Sequence, residues 1–418
     1  MPAIVIGTLD TKAEEVGFVR SALESAGYEV LVIDVGTGSE PRLAADITRE
    51  AVLRAAGTTL ADVQSRGNRG EAVAAAARGV AEVVAGLWET GRVEGVIALG
   101  GSAGTSIGSA AMRVLPLGVP KVLVSTLASG QTRPYVGGSD LVMVPSVCDL
   151  AGLNRISRVV LSNAVSALMG MMAGRRGAGA REELSRPLVT ATMFGVTTPC
   201  VTAARRRLEA AGYEVVVFHA TGVGGQAMES LIREGRVSAV LDLTTTELAD
   251  EIAGGVMSAG PERLSAAVVA RIPQVVSVGA VDMVNFGPPE TVPERYRSRR
   301  LHRHNPQVTL MRTTIEENGA IGRRLAEALR LAQVPTVVLL PLRGVSALDA
   351  PGQPFHDPTA DQALFEAISA GLAGHPSVRI VEVDAHINDP AFSDRAAAEL
   401  IRLHEAVDPK RVENGSRP

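Results

Sequence analysis

Two Rossmann-like α/β domains, each a mainly parallel sheet covered by helices, with a cleft between them, are the architecture this sequence predicts. Three observations carry it. Short apolar runs without polar alternation, such as residues 93–99, recur between segments of helical periodicity, as strands buried on both faces require. The two halves echo each other: Leu23-Glu24-Ser25-Ala26-Gly27-Tyr28-Glu29-Val30 is answered by Leu208-Glu209-Ala210-Ala211-Gly212-Tyr213-Glu214-Val215. Gly91-Arg92-Val93 pairs in the same way with Gly235-Arg236-Val237, and Val119-Pro120-Lys121-Val122 with Ile272-Pro273-Gln274-Val275. Finally, several apolar runs end in glycines and hydroxyls before a helix, and sheets of this class bind ligands at the carboxyl ends of their strands.

The first strand ends in Gly7-Thr8-Leu9-Asp10-Thr11-Lys12. Any one of Thr8, Asp10 and Thr11 could cap the next helix, but the group together suits a phosphate with a cation. The second strand ends in Asp34, placed for ribose hydroxyls by analogy with Rossmann folds. The run 93–99 opens into Gly100-Gly101-Ser102-Ala103-Gly104-Thr105, with a small-residue helix expected over about 106–114. Glycines there let backbone N–H groups approach an anion, and the helix N-terminus adds partial positive charge. No Gly-Lys-Ser/Thr follows and the G-x-G-x-x-G spacing is absent, so a tight structural turn explains the glycines equally well. The fourth strand ends in Ser125-Thr126-Leu127-Ala128-Ser129-Gly130. The predicted nucleotide site is therefore Thr8, Asp10, Thr11, Lys12, Asp34, Gly100, Gly101, Ser102, Gly104, Thr105, Ser125, Thr126, Ser129 and Gly130.

Residues 159–173 form an apolar stretch with Leu161, Val165, Leu168, Met169 and Met172 at helical spacings. It is too short and too rich in Ser, Asn and Gly for a membrane span, so burial at a domain or subunit contact is expected. The first domain is read as 1–174 and the second as 187–405. Gly174-Arg175-Arg176-Gly177-Ala178-Gly179 has linker composition, and 406–418 is read as a polar tail.

In the second half, Phe218-His219-Ala220-Thr221-Gly222-Val223-Gly224-Gly225 turns into a helix. His219 is a candidate general acid or base, or else an anchor of the turn through a backbone hydrogen bond. Glu247 follows Leu243-Thr244-Thr245-Thr246 at the next strand end, and Asp282-Met283-Val284-Asn285-Phe286-Gly287 ends the one after. Arg343, in Pro341-Leu342-Arg343-Gly344-Val345-Ser346, could clamp a carboxylate or phosphate. His302-Arg303-His304 invites a metal reading, but its spacing is nonspecific and no matching Cys or paired acid pattern flanks it; Arg295, Arg297, Arg299, Arg300 and Arg303 read as a solvated basic loop.

With 418 residues and a net charge of −4, the composition suits two ordinary domains and gives no sign of nucleic-acid or membrane binding. Cys148 and Cys200 have no partner spacing for a disulfide framework or zinc. The chain enters a strand directly after Met1-Pro2, with no basic region or cleavage site, which predicts a cytoplasmic protein.

At the Gly7–Lys12, Gly100–Thr105 and His219–Gly225 motifs, and at His304-Asn305-Pro306-Gln307-Val308-Thr309-Leu310-Met311-Arg312-Thr313 and Gly344-Val345-Ser346-Ala347-Leu348-Asp349, the chain resembles a known family. Its members are bacterial and plant proteins related to the ATP-binding N-terminal domain of the tomato mosaic virus resistance protein. The likeness spans about residues 2–405. It implies two Rossmann-like subdomains, ATP with magnesium, and a homodimer. In the plant protein a TIM-barrel domain follows, so a partner of that kind is expected to act in trans. The resulting expectation is an ATP–Mg²⁺-binding metabolic enzyme. Lys12 would offset phosphate charge, Asp10 would hold magnesium, and His219, Glu247 and Arg343 would face a second, small-molecule substrate across the cleft. A nucleotide-responsive binding module, or a lyase or isomerase taking an acidic sugar phosphate, are the alternatives.

Overall fold

A computed structural model describes residues 1–177 and 186–407. The chain divides into two compact units, Met1–Glu183 and Leu184–Pro418.

The first unit runs β1 (Ala3–Gly7), α1 (Ala13–Ser25), β2 (Val30–Asp34), α2 (Arg49–Ala55), α3 (Leu60–Ser65), α4 (Arg69–Glu89), β3 (Gly95–Gly100), α5 (Ser102–Arg113), β4 (Lys121–Ser125), α6 (Arg133–Val136), β5 (Val142–Pro145) and α7 (Arg155–Gly177). Its strands pair in parallel in the order β2-β1-β3-β4-β5. β1 alternates its burial between the two faces of the sheet. Ile4 and Ile6 join one apolar core with Ile33, Val96 and Ile107, while Ala3 and Val5 join another with Val32, Ile97 and Val122. Each of the valine and isoleucine side chains stabilises the unit by about 1.5–3 kcal/mol on burial.

α7 corrects the expectation for the apolar stretch 159–173. At 23 residues it is longer than that stretch, and by length and composition alone it could cross a membrane. Yet Leu161, Ala164, Val165, Leu168 and Met172 pack into the core with Val5, Val32 and Ile97, so the apolar stripe is used by the unit's own sheet. The helix also runs through Gly174-Arg175-Arg176-Gly177, read above as linker; residues 178–185 of that junction lie outside the described residues.

The second unit contains β6 (Leu188–Met193), α8 (Thr198–Ala210), β7 (Glu214–His219), α9 (Val223–Arg233), β8 (Ala239–Thr244), α10 (Glu247–Ala253), α11 (Ala266–Ala270), β9 (Gln274–Gly279), β10 (Met283–Phe286), β11 (Leu301–Asn305), β12 (Val308–Arg312), α12 (Ile315–Leu329), β13 (Thr336–Pro341), α13 (Pro358–Leu372), β14 (Val378–Val383) and α14 (Pro390–Val407). Six strands pair in parallel as β7-β6-β8-β9-β13-β14, the order of the first unit with one strand added. The echoed segments occupy equivalent places. Gly27 and Gly212 close α1 and α8 with φ of 85° and 83°, and Gly91 and Gly235 adopt 70° and 71°. A left-handed turn that glycine takes without strain thus recurs before corresponding strands. One expectation fails here: Met283–Phe286 is no strand end. It is a strand of a separate antiparallel sheet, β10-β12-β11, inserted between β9 and β13, and His302, Arg303 and His304 lie on its outer strand. The expected tail from 406 begins as helix, since α14 runs to Val407; residues 408–418 lie outside the described residues.

Candidate functional site

In the first unit the connections from β1 and β3 leave in opposite directions along the sheet, β1 leading to β2 and β3 to β4. The crevice between two such strands is where open α/β sheets accept ligands. A pocket of about 620 Å³ opens there, lined by Thr8, Asp10, Thr11 and Lys12 after β1 and by Gly100, Gly101, Ser102 and Gly104 after β3. That volume falls in the range of small-molecule sites. α1 and α5 both begin at this pocket, and neither has a side-chain N-cap. The expected capping by Thr8, Asp10 or Thr11 is therefore absent: Lys12 occupies the N-cap position, and the Thr8 and Thr11 hydroxyls bond each other at 2.7 Å.

The glycine run divides by role. α5 starts at Ser102, not near 106, so Ser102, Gly104 and Thr105 are helical. A Cβ on Gly100 would lie 2.8 Å from Gly104 Cα, one on Gly104 3.0 Å from Leu99 O, and one on Gly108 2.6 Å from Ala98 Cβ. Those three glycines let α5 press against β3. Gly101 is different, because its Cβ would meet only Thr126 Oγ1, at 3.7 Å. Packing thus explains three glycines and leaves Gly101 open to a ligand's approach.

Several predicted residues serve the structure instead. Thr105 and Ser125 are buried and share a 2.5 Å hydroxyl hydrogen bond, and Ser125 Oγ accepts from Leu127 N–H at 2.9 Å. Asp34 is 1 % exposed, and its Oδ1 accepts from Leu9 N–H at 3.0 Å and Gly36 N–H at 2.8 Å. Burial pushes its carboxyl above the usual range despite those bonds, which suits a loop anchor and not a ribose contact. Thr126, Ser129 and Gly130 are outside the pocket lining; Ser129 and Gly130 sit in an exposed turn closed by Gly130 N–H to Leu127 O at 3.0 Å.

Asp10 borders the pocket but also ties the β2 loop, its Oδ2 accepting from Gly38 N–H at 3.0 Å and its Oδ1 from Thr11 Oγ1 at 3.3 Å. Lys12 Nζ donates to Leu150 O. Sequence reasoning missed the opposite wall, where Gln64, Asn68, Arg69, Ala72 and Val73 line the pocket together with Asp149. Gln64 Nε2 fastens that wall by donating to Thr37 O and Gly38 O at 3.1 and 2.9 Å. Asn68, three residues before Glu71, is a helix-start signal readable in the sequence, yet nothing local shows that α4 starts at a pocket.

In the second unit the three expected catalytic groups are not brought together as a site. Glu247 is buried in an ion network. It accepts from Arg263 Nε at 2.6 Å, and from Gly222 and Gly225 N–H at 2.7 and 3.0 Å. The glycine turn after His219 therefore already holds a carboxylate, the chain's own. Arg263, fully buried, also makes a forked contact to Asp242 at 2.5 and 2.7 Å and reaches Glu229 at 3.3 Å. Burial opposes the guanidinium charge, but Asp242 and Glu247 hold it well above its ordinary range. Arg343 is exposed and forks onto Asp384 at 2.6 and 2.8 Å. His219 is exposed at the end of the outer strand β7, its ring stacked on Phe194 at 5.3 Å. The turn is anchored by its main chain instead, His219 O accepting from Thr221 N–H at 2.8 Å. His219→Asn is accordingly expected to leave the melting temperature nearly unchanged in thermal denaturation; a fall of several degrees would return the ring to a structural role.

The family motifs quoted above meet in a second buried cluster. Arg312 Nη2 bonds Asp361 Oδ1 at 2.8 Å and lies 3.6 Å from Asp349, while Ser346 Oγ donates to Asp282 at 2.8 Å. These contacts tie the inserted sheet to the loops after β9 and β13.

Comparison with known proteins now decides the family. Residues 1–177 match the N-terminal domain, and residues 186–404 the C-terminal domain, of the uncharacterised protein family UPF0261. The chain belongs to that family. A UPF0261 protein of Clostridium tetani is 49% identical over 96% of this chain and 98% of its own length, and one of Rhizobium meliloti 50% over 94% and 97%. The ToMV resistance protein Tm-1(GCR237) of Solanum lycopersicum is 44% identical over 95% of this chain but 55% of its own length. The susceptible protein tm-1(GCR26) matches equally well, at 44%, so the likeness follows the shared domains and not resistance. Among solved structures, UDP-N-acetylglucosamine 2-epimerase of Rickettsia bellii aligns over 96% of this chain and 95% of its own at 10% identity, with a TM-score of only 0.21. A likeness that faint carries no argument.

Proposed function

We propose that the first unit of this UPF0261 protein binds ATP at the carboxyl ends of β1 and β3. The observation that carries the reading is the adjacency of two uncapped helix N-termini, α1 and α5, at one pocket of nucleotide size. Main-chain N–H groups at Gly101, Ser102 and Ala103 would meet phosphate oxygens. Arg69 and Lys12 would offset their charge, and Val35, Val63, Ala72, Val73 and Ile107 offer an apolar wall for a base. Magnesium fits only as a nucleotide-borne ion. Among the described residues no group of three His, Cys, Asp or Glu side chains could hold a metal, while Asp10 and Asp149 border the pocket. Magnesium keeps several waters and takes one or two carboxylates, so it would arrive with the phosphates and meet these acids.

Chemistry on a second substrate has less support, because Glu247 and Arg343 are already paired within the chain. That favours a nucleotide-responsive binding module over an enzyme. A cytoplasmic homodimer, with a TIM-barrel partner in trans, belongs to the same reading.

Calorimetry tests the site. Wild-type protein should bind ATP with magnesium in the micromolar range, and Gly101→Val should lose most of that affinity without unfolding, since its Cβ has ordinary room. Arg69→Gln should weaken ATP by about tenfold, as loss of a charge-assisted hydrogen bond does, and weaken AMP less. Full affinity in Gly101→Val would place the phosphates elsewhere.

A further inference from the structure

The second unit has another pocket, of about 730 Å³, at the N-terminal ends of β13 and β14, the opposite end of the strands from the usual ligand crevice. Leu372, the last residue of α13, borders it, as do Arg402 and Leu403 of α14.

Three guanidiniums converge beside this pocket on one carboxylate. Glu399 Oε2 accepts from Arg379 Nη2 at 2.5 Å and from Arg402 Nε at 3.0 Å, and Oε1 accepts from Arg395 Nε at 2.9 Å. The Glu399 side chain is nearly buried, while the three arginines are about half exposed. Among the described residues none of the three has a second carboxylate partner. Three fixed cations against one anion leave two positive charges over. The usual reason for arginine here is the negative end of a helix, worth roughly half a charge at each C-terminus. Two helix ends therefore offset at most about one charge, and a surplus remains.

That surplus is held in a defined geometry. A guanidinium has five N–H donors and does not deprotonate, so Arg379 and Arg402, both lining the pocket, have donors beyond those given to Glu399. Burial works to raise the Glu399 carboxyl, but the arginine hydrogen bonds hold it below its usual range, so it stays ionised and keeps the fork in place. Ser377 and Gln333 add neutral polar groups to the lining. The His375 ring is held by two hydrogen bonds: Nδ1 accepts from Ser377 N–H at 3.2 Å, and Nε2 donates to Arg330 O at 3.0 Å.

We propose that this pocket is an anion site for a phosphate dianion, free or as a small monoester, gripped by Arg379 and Arg402 while Glu399 positions both. Planar guanidiniums in a pair match phosphate oxygens, which a single carboxylate cannot saturate. The site is independent of the nucleotide pocket in the first unit.

The test is a titration of the arginine Nε–Hε resonances of the full chain with inorganic phosphate and, separately, with glycerol phosphate. Because the readout is at Arg379 and Arg402, phosphate held in the first unit does not register. The expected result is a saturable shift of both signals at millimolar concentration or below, weakened about tenfold or more in Arg402→Gln and in Arg379→Gln. Arg395→Gln, which changes a residue outside the pocket lining, should alter affinity less than threefold by the same scale. Tighter binding of glycerol phosphate would identify a monoester as the ligand; tighter binding of inorganic phosphate would identify the free ion. The absence of a saturable shift, or equal binding by wild type and both pocket variants, would overturn the proposal.

Discussion

Arg263→Met should lower the unfolding free energy of the second unit by about 3–5 kcal/mol, the usual cost of removing one partner from a buried ion pair. The side chain is of similar length and apolar, so little volume is lost. What remains is the difficulty. Asp242, Glu247 and Glu229 are all buried and all face Arg263; only Glu229 has a second cation among the described residues, the half-exposed Arg233 at 3.9 Å. Asp242 keeps Thr192 Oγ1 at 2.7 Å, Glu247 keeps two glycine N–H groups, and Glu229 keeps Leu264 and Ala266 N–H at 2.7 and 2.8 Å. Hydrogen bonds of that kind do not neutralise three charges in one interior, so some must protonate or hydrate. Urea denaturation with a probe in the second unit measures the loss, and ATP titration of the same protein should find the affinity proposed for the first unit unchanged. Glu247→Gln separates the structural from the catalytic reading of that residue. It should cost about 1.5–3 kcal/mol, as loss of a charged hydrogen bond does. An unchanged unfolding midpoint in both variants would free Glu247 for a role in chemistry.

Why Glu247 looked catalytic, and why Arg263 escaped notice, has one physical cause. A carboxylate at the end of a buried strand looks the same in sequence whether its cation is a substrate group or an arginine 16 residues later. The pairing exists only once β8, α9 and the segment before α11 are folded together. Strand ends themselves were legible, because a glycine or hydroxyl after an apolar run is a local signal. So were the doubled order of elements and the left-handed glycines at Gly27 and Gly212. Strand order was not, since no single residue records which strands become neighbours. That order is what brings Gly7–Lys12 and Gly100–Gly104 to one pocket and leaves Ser129 outside it.

The start of α5 was misplaced for a related reason. Glycine and serine have weak intrinsic preference for helix, so Ser102-Ala103-Gly104-Thr105 reads as loop. The close seat of Gly104 and Gly108 on β3 outweighs that preference, and seating is a tertiary fact. Asp149 and Arg69 illustrate the same limit. Both reach the pocket from distant segments, and the helix-start signal beside Arg69 carries no sign of a pocket.

The cluster around Arg312 yields the second large expectation, a loss of stability in the second unit as pH rises from about 4 towards 9. Asp361 is pushed up to about 9, first by burial and then by Asp349, while Arg312 acts in the other direction. Asp282, raised mainly by burial against the pull of Arg312, reaches about 7, and buried Asp250 also reaches about 7. The sign follows from proton counts. Unfolded aspartates release their protons near pH 4, whereas the folded unit keeps them to higher pH, so between those limits the native state binds more protons. Stability therefore falls with rising pH across that window, by up to about 1.4 kcal/mol per pH unit for each proton held only in the folded state. The geometry agrees with a retained proton: three acids, Asp282, Asp349 and Asp361, surround one buried arginine. A protonated Asp361 can accept from Arg312 through one oxygen and donate to Asp349 through the other. Asp361→Asn imitates that form, its amide oxygen facing Arg312 and its N–H₂ facing Asp349. Urea midpoints at pH 6 and pH 9 should accordingly separate widely in wild type and much less in Asp361→Asn, with the variant the more stable protein at pH 9. Equal slopes in the two proteins would mean that Asp361 enters the folded unit already ionised, and that Arg312 alone balances the acids around it.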